Sequence, residues 1–246
     1  MPRFFVEADQ IRESDVVIKG SDVNHIRNVL RMTPGEEVTV SDGHGMDYFC
    51  KIEKIEKDEI VLGIVDNWHS FVELPSKIYL FQGLPKADKM EWIIQKAVEL
   101  GVYEVVPVVT KRTVVKLDPK KEEKKRLRWQ NIAESAAKQA GRALIPVVAE
   151  CMTFDKALRM CNGLDAALIP YEKAEGMQHA RDQIRSIHGA HSVGIFIGPE
   201  GGFEESEIEA AKAAGAVPIT LGRRILRTET AGLTMLSILM FELEED

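Results

Sequence analysis

The 246-residue chain is poor in cysteine, with three, and in histidine, with six. Cys50, Cys151 and Cys161 are few, odd in number and without metal-ligand spacing, so they read as buried free thiols in a reducing cytosol. His179, His188 and His191 are too dispersed for a metal site, and none is expected. No apolar run reaches the roughly 18 residues of a membrane span. Met1-Pro2-Arg3-Phe4-Phe5 has no long apolar core behind it, which speaks against a secretory leader. The expectation is a cytoplasmic protein with no membrane partner. Internal repeats and low-complexity segments are also missing. The two nucleotide fingerprints, G-x-G-x-x-G and G-x-x-x-x-G-K-[ST], fail at the chain's most glycine-rich turn, residues 198–202.

What remains is the composition of a soluble globular protein of one to two domains, 45% hydrophobic and 29% charged. The net charge of −7 argues at face value against a nucleic-acid partner. Its distribution says more. Residues 111–128 hold nine Lys or Arg against three Asp or Glu. Such a segment can bind phosphates while the rest keeps the protein dissolved. Glu122 and Glu123 interleave with the lysines at i,i+3 and i,i+4 spacings, the pattern of a solvated helix face. Charge alone leaves both readings open.

Residues 1–72 read as a small β-rich domain. Strand candidates at 3–6, 15–18 and 37–40, and alternating runs at 48–55 and 59–65, are separated by turn residues. One helix interrupts them, with Ser21-Asp22 as cap signal and Val23, Ile26, Val29 and Leu30 as its apolar stripe. His25, Arg27 and Arg31 lie beside or opposite that stripe. The domain is net acidic, so any nucleic-acid face on it must be local. Residues 67–76 read as a linker, and a second domain spans 73–246. Strands are expected at 78–82, 105–109, 146–149 and 166–169. They alternate with helices that start at Asp88 (stripe Met90, Ile93, Ile94, Ala97, Val98) and cover 119–143 (stripe Leu127, Ile132, Ala136, Ala137, Ala140), 154–160 and 176–187. This alternation fits a parallel sheet covered on both faces. Lys86, Lys89 and Arg112 fall near carboxyl edges of strands, where a polyanion can be met. A surface ion pair accounts for Lys89 equally well.

Residues 193–241 organise the rest. The apolar run Val193-Gly194-Ile195-Phe196-Ile197 breaks at Gly198-Pro199-Glu200-Gly201-Gly202, and a helical pattern covers 203–214. A second run, 216–221, breaks at Gly222-Arg223-Arg224, and an apolar helix runs from about 233 to 243. This strand–loop–helix–strand–loop–helix order is a parallel α/β unit with both loops at one edge of its sheet. Ligands in open α/β sheets bind at that edge. Three glycines in five residues allow close backbone approach, and Pro199 stiffens the turn. Glu204-Glu205 suit a helix start and argue against a phosphate there. Thr228 or Thr230 suits a cap for the last helix. A capped core helix with solvated arginines does not explain Ile225-Leu226 inside so polar a loop.

Ile197-Gly198-Pro199-Glu200-Gly201-Gly202, followed by Leu221-Gly222-x-Arg224-Ile225-Leu226-Arg227-Thr228-Glu229-Thr230-Ala231, resembles the closing motifs of the SPOUT methyltransferases. Within them it is most similar to the 16S ribosomal RNA uracil-N3 methyltransferase (RsmE) family. The likeness runs over nearly the whole chain. His25-x-x-x-Val29-Leu30-Arg31 before Pro34-Gly35 is similar to the family's N-terminal domain, and Glu134-x-Ala136-x-x-Gln139-x-x-Arg142 resembles its middle motif. The resemblance implies an α/β protein: an N-terminal PUA-like β-barrel holding RNA, then a parallel-sheet domain with a deep trefoil knot in which the 225–231 loop is threaded under its neighbour, a rare exception to unthreaded connections.

The same resemblance implies S-adenosylmethionine as cofactor, bent between the two loops. Its expected contacts are Ile197, Gly198, Glu200, Gly202, Leu221, Gly222, Ile225, Leu226, Thr230 and Ala231, with Leu226 and Ile197 sandwiching the adenine. RNA contacts are expected at Arg3, His25, Arg27, Arg31, Lys86, Lys89 and Arg112. The implied reaction methylates N3 of a specific uridine in 16S ribosomal RNA within the small subunit, and needs an unpaired or extruded base. A cation, Arg142 first or Arg227, would stabilise the uracil anion. Glu229 fits either a base or an ion pair with Arg224 or Arg227. The family implies a homodimer, for which Leu233-x-x-Leu236-x-x-Leu239-Met240 offers a surface. Two rival functions remain: a non-catalytic RNA-binding or ribosome-assembly factor with a decayed cofactor site, and a SPOUT methyltransferase acting on transfer RNA.

Overall fold

The computed structural model describes residues 1–115, 118–174 and 176–244; Lys116 of the basic segment lies outside them. The chain forms two units, Met1–Glu73 with Ala137–Ile145, and Leu74–Ala136 with Pro146–Asp246.

In the first unit, β1 (Arg3–Phe5), β2 (Asp15–Lys19), β3 (Glu37–Ser41), β4 (Met46–Ile55) and β5 (Glu59–His69) form one sheet in the order β1-β3-β4-β5-β2. β1 runs parallel to β3 and every other pair is antiparallel. Alternation places Val38 and Val40, Cys50 and Ile52, and Ile60 and Leu62 on one face. They form a core with Phe4, Val16, Ile18 and Ile26. β5 continues to His69 because residues 66–69 pair with β4, so that part of the expected linker is strand.

The helix expected after residue 20 holds only in part. α1 (Ser21–Asn24) starts from Gly20 and passes into a π-helical turn at His25–Val29, after which Arg31 takes φ 55°. The wider turn breaks the 3.6-residue stripe. Val23 and Ile26 stay buried, whereas Val29 and Leu30 are 61% and 39% exposed.

The second unit is a wholly parallel sheet. Its strands are β6 (Lys77–Gly83), β7 (Glu104–Val109), β8 (Val147–Val148), β9 (Met152–Thr153), β10 (Ala166–Pro170), β11 (Ser192–Ile197) and β12 (Val217–Ile219). They run β12-β10-β11-β6-β7-β8, with the short, unforeseen β9 also pairing with β7. Helices α2 (Lys89–Glu99), α3 (Pro119–Ala140), α4 (Phe154–Cys161), α5 (Met177–Ser186), α6 (Glu205–Ala213) and α7 (Thr228–Leu243) connect and cover it. Cover on both faces is why Val193 to Ile197 are all buried without alternation. Phe81 stacks on Phe196 at 4.4 Å in the core.

Two helix readings need correction. α3 buries the expected Ala136 and Ala137 together with Trp129 and Ala133, while Leu127 is 55% exposed, Ala140 is exposed and Ile132 is half-buried. α7 starts at Thr228, ahead of its apolar run, and packs on α2 and β11. Leu236 and Leu239 are fully buried in that packing, so they are not a free dimer face, and Phe241 is the exposed apolar residue. No described helix is long and apolar enough to cross a membrane.

Candidate active site

The glycine-rich turn follows β11 directly. The Gly202 N–H donates to the Pro199 carbonyl at 2.9 Å, and Gly202 itself has φ +68°. A Cβ on Gly198 would lie 2.9 Å from the Gly202 backbone, and one on Gly83 would lie 2.6 Å from Pro199. The ends of β6 and β11 therefore touch with no space for a side chain. Glu204 starts α6 in a reciprocal capping box with Glu207. The buried Glu207 also accepts the Lys111 N–H at 2.8 Å, and Arg112 donates to the Gly201 carbonyl at 2.7 Å. Residues 111 and 112 thus brace the turn from outside.

The second loop is held by one hydroxyl. Thr228 Oγ1 donates to the Gly198 carbonyl at 2.6 Å and accepts from Gln82 Nε2 at 2.9 Å. The same Gln82 amide donates to the Gly83 carbonyl at 2.9 Å. Thr228 was expected as a cap, but it is the first helical residue, and Arg227 occupies the cap without a side-chain bond. Its hydroxyl ties β6, β11 and α7 together instead. At the loop's other end Thr220 Oγ1 accepts the Gly222 N–H at 3.2 Å, with Gly222 at φ +108°.

Between the two loops lies a cavity of about 580 Å³, at the carboxyl edge of the adjacent strands β10, β11 and β12. That size suits a cofactor or drug-sized ligand. Tyr171, Phe203, Ile197, Leu221 and Leu226 give it apolar surface, and Lys89, Glu172, Glu200 and Arg227 give it charge. The N–H groups of Arg223, Arg224, Ile225 and Leu226 donate to nothing among the described residues. Arg223, Arg224 and Ile225 are exposed, so water satisfies theirs, and Leu226 is half-buried. The Lys89 ammonium lies 3.2 Å from Glu200, which lines the cavity, and 3.4 Å from Glu229 Oε2 on the first turn of α7. Glu229 Oε2 is buried with no hydrogen bond of its own, so Lys89 holds it by charge. Burial pushes the Glu200 carboxyl up. The N–H groups of Glu200 and Lys86 and the Lys89 ammonium outweigh it and hold the carboxyl below the usual range. The hydrogen bond to Glu200 in turn raises the Lys89 ammonium against its partial desolvation.

A family model described as an RNA methyltransferase domain matches residues 72–240, and one described as an RNA methyltransferase PUA domain matches 18–65. The chain is 39% identical to the ribosomal RNA small subunit methyltransferase E of Bacillus subtilis, over 99% of this chain and 98% of that one. The chain belongs to the ribosomal RNA small subunit methyltransferase E family. The fold agrees. A crystal structure of the family member from Neisseria gonorrhoeae bound to S-adenosyl methionine superposes with a TM-score of 0.86 at 33% identity, over 98% and 97% of the two chains. A putative methyltransferase from Legionella pneumophila, solved with bound SAM, gives 0.84 at 32% identity over 97% and 96%. The first unit is thus the PUA-like sheet of a SPOUT-fold protein and the second its parallel α/β domain.

Of the expected cofactor residues, Ile197, Gly198, Glu200, Gly202, Leu221, Gly222, Ile225, Leu226 and Ala231 line the cavity. Thr230 is exposed on the first turn of α7 and does not. Ile225 is 84% exposed at the rim. Arg227 lines the cavity. Glu229 pairs with Lys89, not with Arg224 or Arg227. Arg142 is not among the residues that line this cavity. It is 5% exposed in the first unit, where its Nε donates to both Glu73 carboxylate oxygens at 3.2 and 3.0 Å.

Among the expected RNA contacts, Arg3 forms a bidentate pair with Asp47 (2.9 Å twice) and donates to the Arg142 carbonyl at 3.1 Å, so its charge is used internally. Arg27 is exposed and donates to the Lys57 carbonyl. His25 and Arg31 are exposed beside Val29 and Leu30. The Lys86 side chain is exposed while its N–H donates to Glu200. Gln82, Tyr171 and Glu172 were not among the expected site residues. Tyr171 and Glu172 follow a strand end at the same sheet edge, which was signal enough to include them; a lone glutamine closing an apolar strand was the hint at Gln82.

Proposed function

We propose that the protein methylates N3 of a uridine in 16S ribosomal RNA, with S-adenosylmethionine held between the turn 198–202 and the loop 221–227. The observation that carries this is the cavity between those loops, floored by Thr228 and lined by the glycine-rich turn beside apolar Leu226 and Ile197. An adenosine fits that set, its ring between aliphatic side chains and its edges on backbone donors. Gly198 and Gly202 would allow close approach, and Glu200, Leu221, Gly222, Ile225 and Ala231 would complete the grip. The cofactor supplies a methyl group already activated on a sulfonium, so positioning can provide most of the barrier reduction.

The chain's own groups then manage charge. Loss of the imide proton leaves a uracil anion, and Arg227, exposed at the cavity wall, is the cation placed to stabilise it. Arg142, buried against Glu73, is assigned a structural role. Glu229, whose carboxylate pairs with Lys89, is assigned as the base. His25, Arg27 and Arg31 on the PUA-like unit and Lys86, Lys89 and Arg112 near the cavity serve the RNA. The trefoil knot belongs to this reading. So do a cytoplasmic setting, work on the small subunit, and a homodimer. Trp92 and Phe241, 46% and 84% exposed on the packed helices α2 and α7, support the last.

The test is methyl transfer from labelled S-adenosylmethionine to bare 16S RNA and to assembled small subunits, followed by nucleoside mass spectrometry. 3-Methyluridine is the expected product. A methyl group on ribose, on guanine or on transfer RNA alone would overturn the substrate assignment. A protein that binds RNA but not the cofactor would overturn the enzyme.

A further inference from the structure

We infer that the first turns of α3 form a phosphate-binding ridge that grips the RNA away from the reacting nucleotide; this deepens the function proposed above and rests on it. The sequence left two readings of the basic segment open, a phosphate site or a helix face neutralised by its own glutamates. The structure separates them. The half-buried Glu122 carboxylate accepts the Cys151 N–H at 3.1 Å and forms no ion pair with a lysine among the described residues. Glu123 is exposed and forms no ion pair among the described residues. Lys120, Lys121 and Lys124 are all exposed at helical spacing. Among the described residues only Lys121 of these has an acidic partner, Asp118 at 3.1 Å, and that pair is 74% and 51% exposed, so water and salt screen it.

The basic surface continues along α3. Lys125 lies over the ring of the buried Trp129 at 5.9 Å, which carries the helix surface charge to the next turn. Arg128 then reaches Glu91 on α2 at 2.7 Å, two residues from Lys89 on the cavity wall. A row of cations on an otherwise acidic protein concentrates a polyanion along one line and repels it elsewhere. The partner that fits is the RNA backbone, read without regard to base sequence.

The full-length triple variant Lys120→Gln, Lys121→Gln, Lys124→Gln tests this. The dependence of rRNA affinity on salt should flatten by about 2 to 3 in log–log slope, at about 0.7 to 0.9 per lost contact. Affinity near 0.1 M salt should fall about tenfold or more, while S-adenosylmethionine affinity and Tm stay at wild type. Glu123→Lys should act oppositely, steepening the slope by about 1. Unchanged slopes in both variants would make α3 a solvated face and overturn the proposal. Weakened binding to assembled subunits with unchanged binding to bare rRNA would assign the ridge to a ribosomal protein, which also overturns it. A wild-type protein that binds rRNA through the ridge yet transfers no methyl group would refute the proposed function and leave the ridge standing.

Discussion

Thr228→Val keeps the shape of the side chain and removes the hydroxyl on which both cofactor loops depend. Thr228 is 6% exposed, and its Oγ1 makes two bonds, to the Gly198 carbonyl at 2.6 Å and from Gln82 Nε2 at 2.9 Å. Valine leaves that carbonyl without its partner, while the Gln82 amide retains only the Gly83 carbonyl. Each buried polar group left unpaired costs about 1–3 kcal/mol, and the amide's remaining bond puts its share at the low end. A total of about 2–4 kcal/mol follows, which for a domain of this size lowers Tm by about 5–15 °C. Scanning calorimetry is the right assay, since it resolves two units that need not unfold together. Titration calorimetry with S-adenosylmethionine should show weaker binding in the same variant, because the turn 198–202 and the start of α7 lose their common anchor. Thr228→Ser should restore both. A valine variant with wild-type Tm and wild-type cofactor affinity would refute the reasoning.

Arg142→Ala should destabilise the first unit by about 3 kcal/mol, since it leaves the Glu73 carboxylate with only the Ala143 and Leu144 N–H groups; chemical denaturation checks this, and cofactor affinity should not change. Gly198→Ala places a Cβ 2.9 Å from the Gly202 backbone, so the turn must shift, and titration should find cofactor binding abolished with the protein still folded. Burial pushes the Cys50 and Cys161 thiols up to about 11 and Cys151, with Glu122 adding, to about 12. Iodoacetamide at pH 8 should therefore label none of the three until denaturant is added, read by intact mass.

The parts of the site that adjacent residues encode were legible in the sequence. Gly198 to Gly202 marked a tight turn, and the run from Leu221 to Ala231 marked a polar loop with apolar residues misplaced for a plain cap. Both follow strands of a parallel sheet, so their meeting at one edge followed from topology. The contacts that fix the site were not legible, because they join distant residues: Gln82 and Thr228 are separated by 146 positions, and Arg142 and Glu73 by 69. Arg142 looked available because it ends a helix, where a cation suits the dipole whatever else it does. Val29 and Leu30 misled for a local reason, since a π turn at His25 breaks the spacing on which a stripe is read. The identity of the Lys89 partners lay beyond reach because they are distant in sequence: its neighbours on α2 include a glutamate, yet the carboxylates it meets come from the turn 198–202 and the first turn of α7.

The account turns on where the methyl donor sits. A crystal structure of the protein grown with S-adenosylmethionine tests that most directly. The account predicts density for the donor between the turn 198–202 and the loop 221–227, with adenine between Ile197 and Leu226 and the Thr228 hydroxyl still on the Gly198 carbonyl. Density for the donor elsewhere, or the space between those loops closed by their own side chains at saturating donor, would contradict it.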